Sequence, residues 1–216
     1  MRQRKIAPII QCLIPPIIGL WVKKVTGVEN LPMDRAFILS PNHASYIEHL
    51  MIGSILIPRL NKKLHFIAKR EHFEGFSQSF WHSLWSKYIG YIPIDRKQGG
   101  KALEKAVIYL KKGAVIVIYP EGTRSITGRI QKGKTGVARL ALAARVPIVP
   151  VGIEGTFEIL PKGKMMPRLK KATLNFGKPL YFDKYYSKKI TKSLLRRITT
   201  RVMGEIAKLS RQKYNY

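Results

Sequence analysis

The segment Lys101–Tyr119, KALEKAVIYLKKGAVIVIY, decides the fold class, because it contains one helix, one stop signal and one strand in order. Apolar residues in its first part recur at three- or four-residue spacing, which predicts a helix from about Lys101 to Lys112. The residues on this apolar face are Leu103, Ala106, Val107 and Leu110. Gly113 is a typical C-terminal stop, and the apolar run Ala114–Tyr119 predicts a buried strand.

The same alternation of strand and helix continues on both sides of this segment. A second helix is predicted near Gly136–Arg145, and a basic amphipathic helix over Ser187–Lys213. We expect the apolar stripe of the last helix to pack on the core. The alternative is that the charged face of this helix rests against phospholipid. The other predicted strands are Ala36–Leu39, Leu64–Ala68, Tyr91–Ile94, Ile148–Ile153 and Thr173–Phe176. This order is typical of an α/β sheet layered between helices.

The N-terminal residues 1–24 form a segment of different composition. Three positive charges in Met1–Lys5 precede the nearly apolar run Ile6–Val22, which Pro15-Pro16 interrupts. The run is slightly short for a spanning helix, and no signal-peptide cleavage site follows it. We therefore expect two short helical pieces that lie on or dip into a membrane, or else a helix packed against the domain. The chain divides into this membrane-associated motif, 1–24, and an α/β domain, 25–216.

The densest polar cluster is Ser40–His49, SPNHASYIEH. His43 and Glu48 are five residues apart, which places them about 140° apart on a continuous helix. They can meet if the helix begins after His43, and the capping-box pattern Ser45-x-x-Glu48 predicts such a start. A carboxylate on one ring nitrogen would fix the tautomer and leave the other nitrogen as a base near neutral pH. The alternative is that Glu48 only caps the helix and His43 is an ordinary loop residue.

A second polar cluster, Tyr119–Ser125, directly follows the strand at 114–119 and reads YPEGTRS. Loops at the carboxyl ends of strands line the ligand crevice of an open α/β sheet. Gly122 permits close approach of the backbone, Thr123 offers a hydroxyl, and Arg124 offers a planar fork for phosphate oxygens. The alternative is a tight turn with an ion pair between Glu121 and Arg124.

Two further cations lie in comparable positions. Arg96 ends the strand-like stretch Gly90–Arg96 and is a second phosphate candidate. The stretch Gly128–Thr135 fits the pattern Gly-x4-Gly-Lys-Thr, but no strand leads directly into Gly128 as a phosphate-binding loop requires. Nucleotide hydrolysis is therefore not expected, and Lys134 is interpreted as added positive charge beside Arg124.

Taken together, four blocks of the sequence resemble the glycerolipid acyltransferase family typified by the 1-acyl-sn-glycerol-3-phosphate acyltransferases. The blocks are NHASYIE at 42–48, GYIPIDR at 90–96, YPEGTRS at 119–125 and VPIVPV at 146–151. The sequence departs from the family pattern at Glu48, where most members carry Asp. A glutamate is one methylene longer, which changes the reach of the carboxylate towards the imidazole.

The resemblance implies a central mixed β-sheet flanked by helices and a reaction in which His43, oriented by Glu48, deprotonates a lysolipid hydroxyl. The hydroxyl oxygen would attack an acyl thioester, and the product would be phosphatidic acid. The glycerol phosphate would bind at Glu121, Gly122, Thr123 and Arg124, with electrostatic help from Arg96 and Lys134. No metal ion, prosthetic group or acyl-enzyme is needed.

The composition agrees with anionic partners. Forty Lys and Arg against twelve Asp and Glu give a formal net charge of +28, and the single cysteine excludes a disulfide framework. We expect a phospholipid membrane, a lysophospholipid acceptor, and acyl-CoA or acyl carrier protein as partners, at the cytoplasmic face of a bacterial inner membrane, and no nucleic acid. The alternatives are another lysolipid acceptor, such as a lyso-ornithine lipid, and a non-catalytic basic protein that binds membranes or nucleic acid.

Overall fold

The computed structural model describes residues 15–60, 64–69, 90–94, 99–164 and 166–216. Seven strands in these ranges form one sheet: β1 Val22–Thr26, β2 Phe37–Pro41, β3 Leu64–Lys69, β4 Gly90–Ile94, β5 Val115–Val117, β6 Ile148–Glu154 and β7 Ala172–Phe176. The named helices are α1 Ile47–Leu56, α2 Gly99–Lys111, α3 Gly136–Ala144, α4 Thr156–Ile159 and α5 Lys192–Leu209. Residues 15–19 are also helical, and Val28–Asn30 and Asp183–Tyr185 form short 3-10 turns.

The sheet is mixed, as the sequence predicts. Its strand order is β1-β7-β6-β2-β5-β3-β4, and every neighbouring pair is parallel except β6 and β7. In the middle of the sheet, Leu39 of β2 pairs with Val117 of β5 on one side and Val149 of β6 on the other. Because β6, β2 and β5 run in the same direction, their carboxyl ends meet at one edge of the sheet.

Alternation along the central strands creates two separate hydrophobic cores. Phe37 and Leu39 face the core beneath α1, whereas Ile38 faces the core covered by α2, α3 and α5. All three side chains are fully buried. Burial of each side chain of this size is worth about 1.5–3 kcal/mol, so the two cores stabilise the central strands from both faces.

The predicted strands and helices are confirmed to within a few residues, but the sequence patterns predict neither the strand β1 nor the short helix α4. The strand β1 was not expected, because its Lys23 and Lys24 directly follow the apolar run Ile6–Val22 and mask the alternation of a strand. Both lysines are exposed on the edge strand, which pairs with β7. The strand crosses the boundary drawn at residue 24, so the sheet begins at Val22.

The predicted membrane-associated segment is only partly within the described residues, since residues 1–14 lie outside them. Of the described part, Ile18 is buried and Trp21 packs against the same core as α1. Across the described part of the chain, no helix has the length and apolar character needed to cross a membrane. Membrane association of residues 1–24 therefore stays a prediction.

The basic C-terminal helix α5 is shorter than predicted, because Thr191 caps its first turn. The Thr191 hydroxyl accepts a hydrogen bond from the Leu194 backbone N–H at 3.2 Å. The apolar face packs on the sheet core, as the first of the two alternatives proposed. Its buried members include Leu194, Ile198, Val202 and Ile206.

The contact between β6 and the end of α5 generates a prediction on stability. A Cβ at Gly152 would overlap the backbone of Leu209 and Ser210. We expect Gly152→Ala to lower the free energy of unfolding by roughly 2 kcal/mol or more, since the helix must move away from the strand. Chemical denaturation measures this loss. Gly204 of α5 has open space around it, so Gly204→Ala should instead raise stability by about 0.5–1 kcal/mol; equal effects of the two substitutions would contradict the close approach.

Candidate active site

Polar residues gather where β2, β5 and β6 end. Asn42 and His43 follow β2, Tyr119–Ser125 follows β5 by one residue, and Thr156 follows β6. Because these three strands are parallel neighbours, the loops meet at one edge of the sheet. This is the edge at which open α/β sheets bind their ligands.

The imidazole of His43 and the carboxylate of Glu48 are in direct contact, the arrangement expected if the helix begins after His43. The His43 Nδ1 lies 2.7 Å from Glu48 Oε2. The Glu48 carboxylate is fully buried, whereas about a tenth of the His43 side chain is exposed. The extra methylene of glutamate therefore does not keep the acid away from the ring.

The second oxygen of Glu48 holds the carboxylate in place. The backbone N–H groups of Ala44 and Ser45 and the hydroxyl of Thr156 all donate to Oε1, each at 2.8 Å. One oxygen is thus fixed by three donors while the other faces the imidazole. Thr156 comes from 108 residues further along the chain, and no local sequence motif marks it.

The two interpretations of Glu48 from sequence, helix cap and partner of the histidine, both hold. The helix α1 begins at Ile47, after His43 as predicted, and its N-cap is Tyr46 rather than Ser45. Glu48 in the first turn accepts the Ser45 N–H, which is one of the two bonds of a capping box. The Ser45 hydroxyl donates to the Leu160 carbonyl at 2.7 Å and accepts from the Ile47 N–H at 3.3 Å. Ser45 thereby ties the start of α1 to the end of α4.

Burial dominates the electrostatics of the pair. It raises the pKa of Glu48 to about 8, against the lowering effects of the Ala44, Thr156 and Ser45 hydrogen bonds and of the Arg124 charge. Because Glu48 contacts the imidazole directly, the two groups titrate as a pair.

The ring of His43 stacks on Tyr119, the first residue of the YPEGTRS cluster. Their ring centroids are 3.9 Å apart, with 24° between the planes. The Tyr119 hydroxyl is buried and has no hydrogen-bond partner within the described residues. Burial first, and then the Glu48 charge, raises the pKa of Tyr119 well above its usual value, so the phenol stays neutral. Sequence reasoning missed this stacking residue, although it begins the second cluster.

The backbone of His43 is held on both sides by the second cluster. Its N–H donates to Glu121 Oε1 at 2.8 Å, and its carbonyl accepts from the Ser125 N–H at 2.8 Å. The other oxygen of Glu121 accepts from the backbone N–H of Gln131 at 2.9 Å and from its side-chain amide at 3.2 Å. Burial raises the pKa of Glu121 to about 7. The contacts of Glu121 therefore position the histidine loop.

Asn42, beside the histidine, joins β2 to β6. Its side-chain amide donates to the Ile153 carbonyl at 2.9 Å, and its oxygen accepts from the Ile153 N–H at 2.7 Å. The side chain thus replaces a strand residue as the partner of β6. Asn42 fixes the point at which the chain leaves the sheet towards His43.

Arg124 is a half-buried cation that contacts an aromatic ring. Its guanidinium carbon lies 3.4 Å from the centroid of the Tyr46 ring, a close cation–π contact. Burial lowers the pKa of Arg124, while Tyr46 and Glu48 raise it; an arginine remains cationic in either case. A half-buried cation that has lost part of its water is a suitable partner for a phosphate.

The remaining predicted residues lie around this arginine or outside the described part. Gly122 has a φ of 71°, the left-handed region that favours glycine, and the Lys134 side chain packs over it. Thr123 and Lys134 are exposed. Arg96 lies outside the described residues. Within the described ranges no group of three or more His, Cys, Asp or Glu side chains is placed to hold a metal ion.

The chain matches proteins of one family. Residues 23–154 match the family described as Acyltransferase. The 1-acyl-sn-glycerol-3-phosphate acyltransferase of Bacillus subtilis is 32% identical over 162 residues, which are 73% of this chain and 73% of that protein. The human 1-acyl-sn-glycerol-3-phosphate acyltransferase alpha is 32% identical over 151 residues, 68% of this chain but only 50% of the human protein.

A solved structure agrees with the sequence matches. The crystal structure of PlsC, the 1-acyl-sn-glycerophosphate acyltransferase of Thermotoga maritima, superposes with a TM-score of 0.72. The match covers 97% of this chain and 81% of that one at 26% identity. With the family match over more than half of its length and a buried His–Glu pair at the expected edge of the sheet, the chain belongs to the acyltransferase family and is an enzyme of that class.

Proposed function

We propose that this acyltransferase moves a fatty acyl chain from an acyl thioester to the free sn-2 hydroxyl of 1-acyl-sn-glycerol-3-phosphate, giving phosphatidic acid. The observation that carries the proposal is the 2.7 Å contact between His43 Nδ1 and Glu48 Oε2, with the half-buried Arg124 close enough to influence the Glu48 charge. The relatives named above support the choice of acceptor. Family membership decides against the alternative of a non-catalytic basic protein.

His43 is the proposed general base. With its Nδ1–H donated to Glu48, its Nε2 accepts the proton of the acceptor hydroxyl. The hydroxyl oxygen forms the new bond to the thioester carbonyl carbon, and the carbon–sulfur bond breaks. The departing thiolate takes the proton from the imidazolium, so the products are the ester and a free thiol, with no acyl-enzyme.

Arg124 is the proposed binding group for the phosphate of the acceptor. Its guanidinium is held in place by the Tyr46 ring and is close enough to Glu48 to influence that carboxylate. The exposed Lys134 over Gly122 adds a second positive charge to the same loop. Glu121 and Gly122 act through the shape of the loop, and Arg96 and Thr123 remain proposed contributors.

The proposed reaction needs neither a metal ion nor a prosthetic group. The histidine supplies the proton transfer, and the donor carries its own activated carbonyl. Acyl-CoA and acyl carrier protein are both anionic and both suit a chain with a net charge of +28. Because both donors are cytoplasmic and the acceptor is a lipid, we place the enzyme at the cytoplasmic face of a membrane.

A panel of lysolipids tests the proposal. Purified protein should convert 1-acyl-sn-glycerol-3-phosphate to phosphatidic acid, identified by its mass, when offered acyl-CoA and acyl carrier protein thioesters in turn. Conversion of a lyso-ornithine lipid in place of the lysophosphatidate would overturn the proposed acceptor.

His43→Ala should lower the turnover about 10²–10⁴-fold while near-UV circular dichroism stays unchanged, because the general base is lost.

Replacement of Arg124 by lysine tests the phosphate contact. Arg124→Lys keeps the charge but loses the planar fork and the stacking on Tyr46. We expect KM for the lysophosphatidate to rise roughly ten- to a hundredfold, the equivalent of one hydrogen bond to a charged group, with a smaller change in kcat. The exposed Arg129 provides the control, since Arg129→Lys should leave both constants unchanged. An unchanged KM for Arg124→Lys would reject the assignment.

The pH dependence of the rate tests the role of Glu48. The productive pair carries one proton, on Nδ1, with Glu48 ionised; added protons inactivate it, so kcat/KM rises as pH increases through the pKa of the pair. Thr156→Val removes a donor that lowers the pKa of Glu48, and the rising limb should move to higher pH by roughly one unit. Thr156→Ser keeps the hydroxyl and should leave the limb in place. A shift to lower pH would contradict this role.

A further inference from the structure

The loop between α4 and β7 combines exposed apolar side chains with dense positive charge. Residues 160–171 contain five Lys and Arg and no acidic residue: Lys162, Lys164, Arg168, Lys170 and Lys171. Two apolar side chains of the loop are almost fully exposed, Met166 at 81% and Leu169 at 86%. Large, highly exposed apolar side chains next to charged residues indicate a surface that contacts a membrane or another molecule.

The backbone of this loop is tied to itself and to the domain. The Arg168 N–H donates to the Ile159 carbonyl at 2.8 Å, and the Lys164 N–H donates to the Pro161 carbonyl at 3.1 Å. The indole of Trp21 donates to the Arg168 carbonyl at 2.9 Å. These bonds fix the loop in a conformation that directs Met166 and Leu169 outward.

The contact with Trp21 brings a second group of exposed apolar residues to the loop. Ile17 is 53% exposed and Leu20 is 57% exposed, and the Trp21 carbonyl accepts from the Ala172 N–H at 2.7 Å, where the loop enters β7. The exposed Lys23 and Lys24 lie next along the chain, within β1. We call the exposed side chains of residues 17–24, together with those of residues 160–164 and 166–171, the apolar–cationic surface.

We propose that the apolar–cationic surface is a binding site for the anionic phospholipid bilayer, with Met166 and Leu169 inserted at the headgroup boundary. Burial of apolar side chains away from water is favourable, and each Lys or Arg near an anionic leaflet adds electrostatic attraction. A nucleic acid would use the charge but would leave the two apolar side chains in water. A lipid surface is the partner that uses both.

The position of the surface agrees with the proposed reaction on a lipid acceptor. Thr156, which holds Glu48, and Leu160, which accepts from Ser45, lie on the segment that leads into the loop. Contact with the bilayer would therefore occur beside the His43–Glu48 pair. The surface itself is argued from exposure and charge, and only this last step depends on the proposed function.

An environment-sensitive dye tests the contact directly. The chain has one cysteine, so Cys12→Ser/Leu169→Cys gives a single labelling site on the surface. Labelled full-length protein should show emission at shorter wavelength with vesicles of phosphatidylcholine and phosphatidylglycerol, and less of this shift with phosphatidylcholine alone. The matched control is Cys12→Ser/Ile108→Cys, labelled on the exposed side of α2 against the opposite core. Equal emission with and without anionic vesicles at position 169 would overturn the proposal.

Sedimentation with the same vesicles provides the second measurement. Met166→Gln/Leu169→Gln should lower the binding constant for anionic vesicles, obtained from the bound fraction, by at least about tenfold. Ile108→Gln should leave this binding constant unchanged. Loss of affinity for acidic acyl carrier protein, with vesicle binding unchanged, would assign the loop to the donor and overturn the lipid assignment. Neither measurement uses turnover, so failure of the acceptor proposal leaves the lipid result interpretable.

Discussion

The structure depends on a carboxylate that is fully buried in a strongly basic protein. Removing an ionised carboxylate from water costs several kcal/mol unless hydrogen bonds replace the lost solvent. Glu48 receives three such bonds on one oxygen and contacts the His43 ring with the other. The same arrangement that makes burial tolerable also aims the acid, because an oxygen with three donors cannot rotate away from them.

This interaction constrains the topology of the sheet. The Ala44 and Ser45 donors follow β2, whereas Thr156 follows β6, so the network forms only when these strands are neighbours. Asn42 strengthens the same junction by pairing with Ile153. Glu121 and Ser125 bind the backbone of His43 from β5 on the other side. The fold therefore supplies the three loops, and the hydrogen bonds between them set the position of one imidazole.

The sequence could predict what depends on local pattern. The helix that stops before Gly113 and the apolar strands follow from the spacing of apolar residues, and the start of α1 between His43 and Glu48 follows from a capping signal. The edge strand β1 could not be predicted in this way, because two consecutive lysines mask its alternation and an apolar run precedes it. The contact of Thr156 with Glu48 and the role of Glu121 in positioning the histidine loop could not be predicted either. Both depend on contacts between distant segments, which no local motif marks.

The distribution of charge connects the site to its surroundings. Two of the twelve acidic residues, Glu48 and Glu121, lie buried at the site and bind backbone and histidine, so they project little negative charge outward. Arg124, Lys134 and the loop at 160–171 present positive charge at or near the same region. An anionic molecule is therefore attracted towards the site, while the hydrogen bonds that Glu48 and Glu121 accept offset the negative charge of these two acids. Placing the acids inside and the cations outside is the arrangement that the proposed reaction requires, in which an anionic acceptor approaches a histidine base near neutral pH.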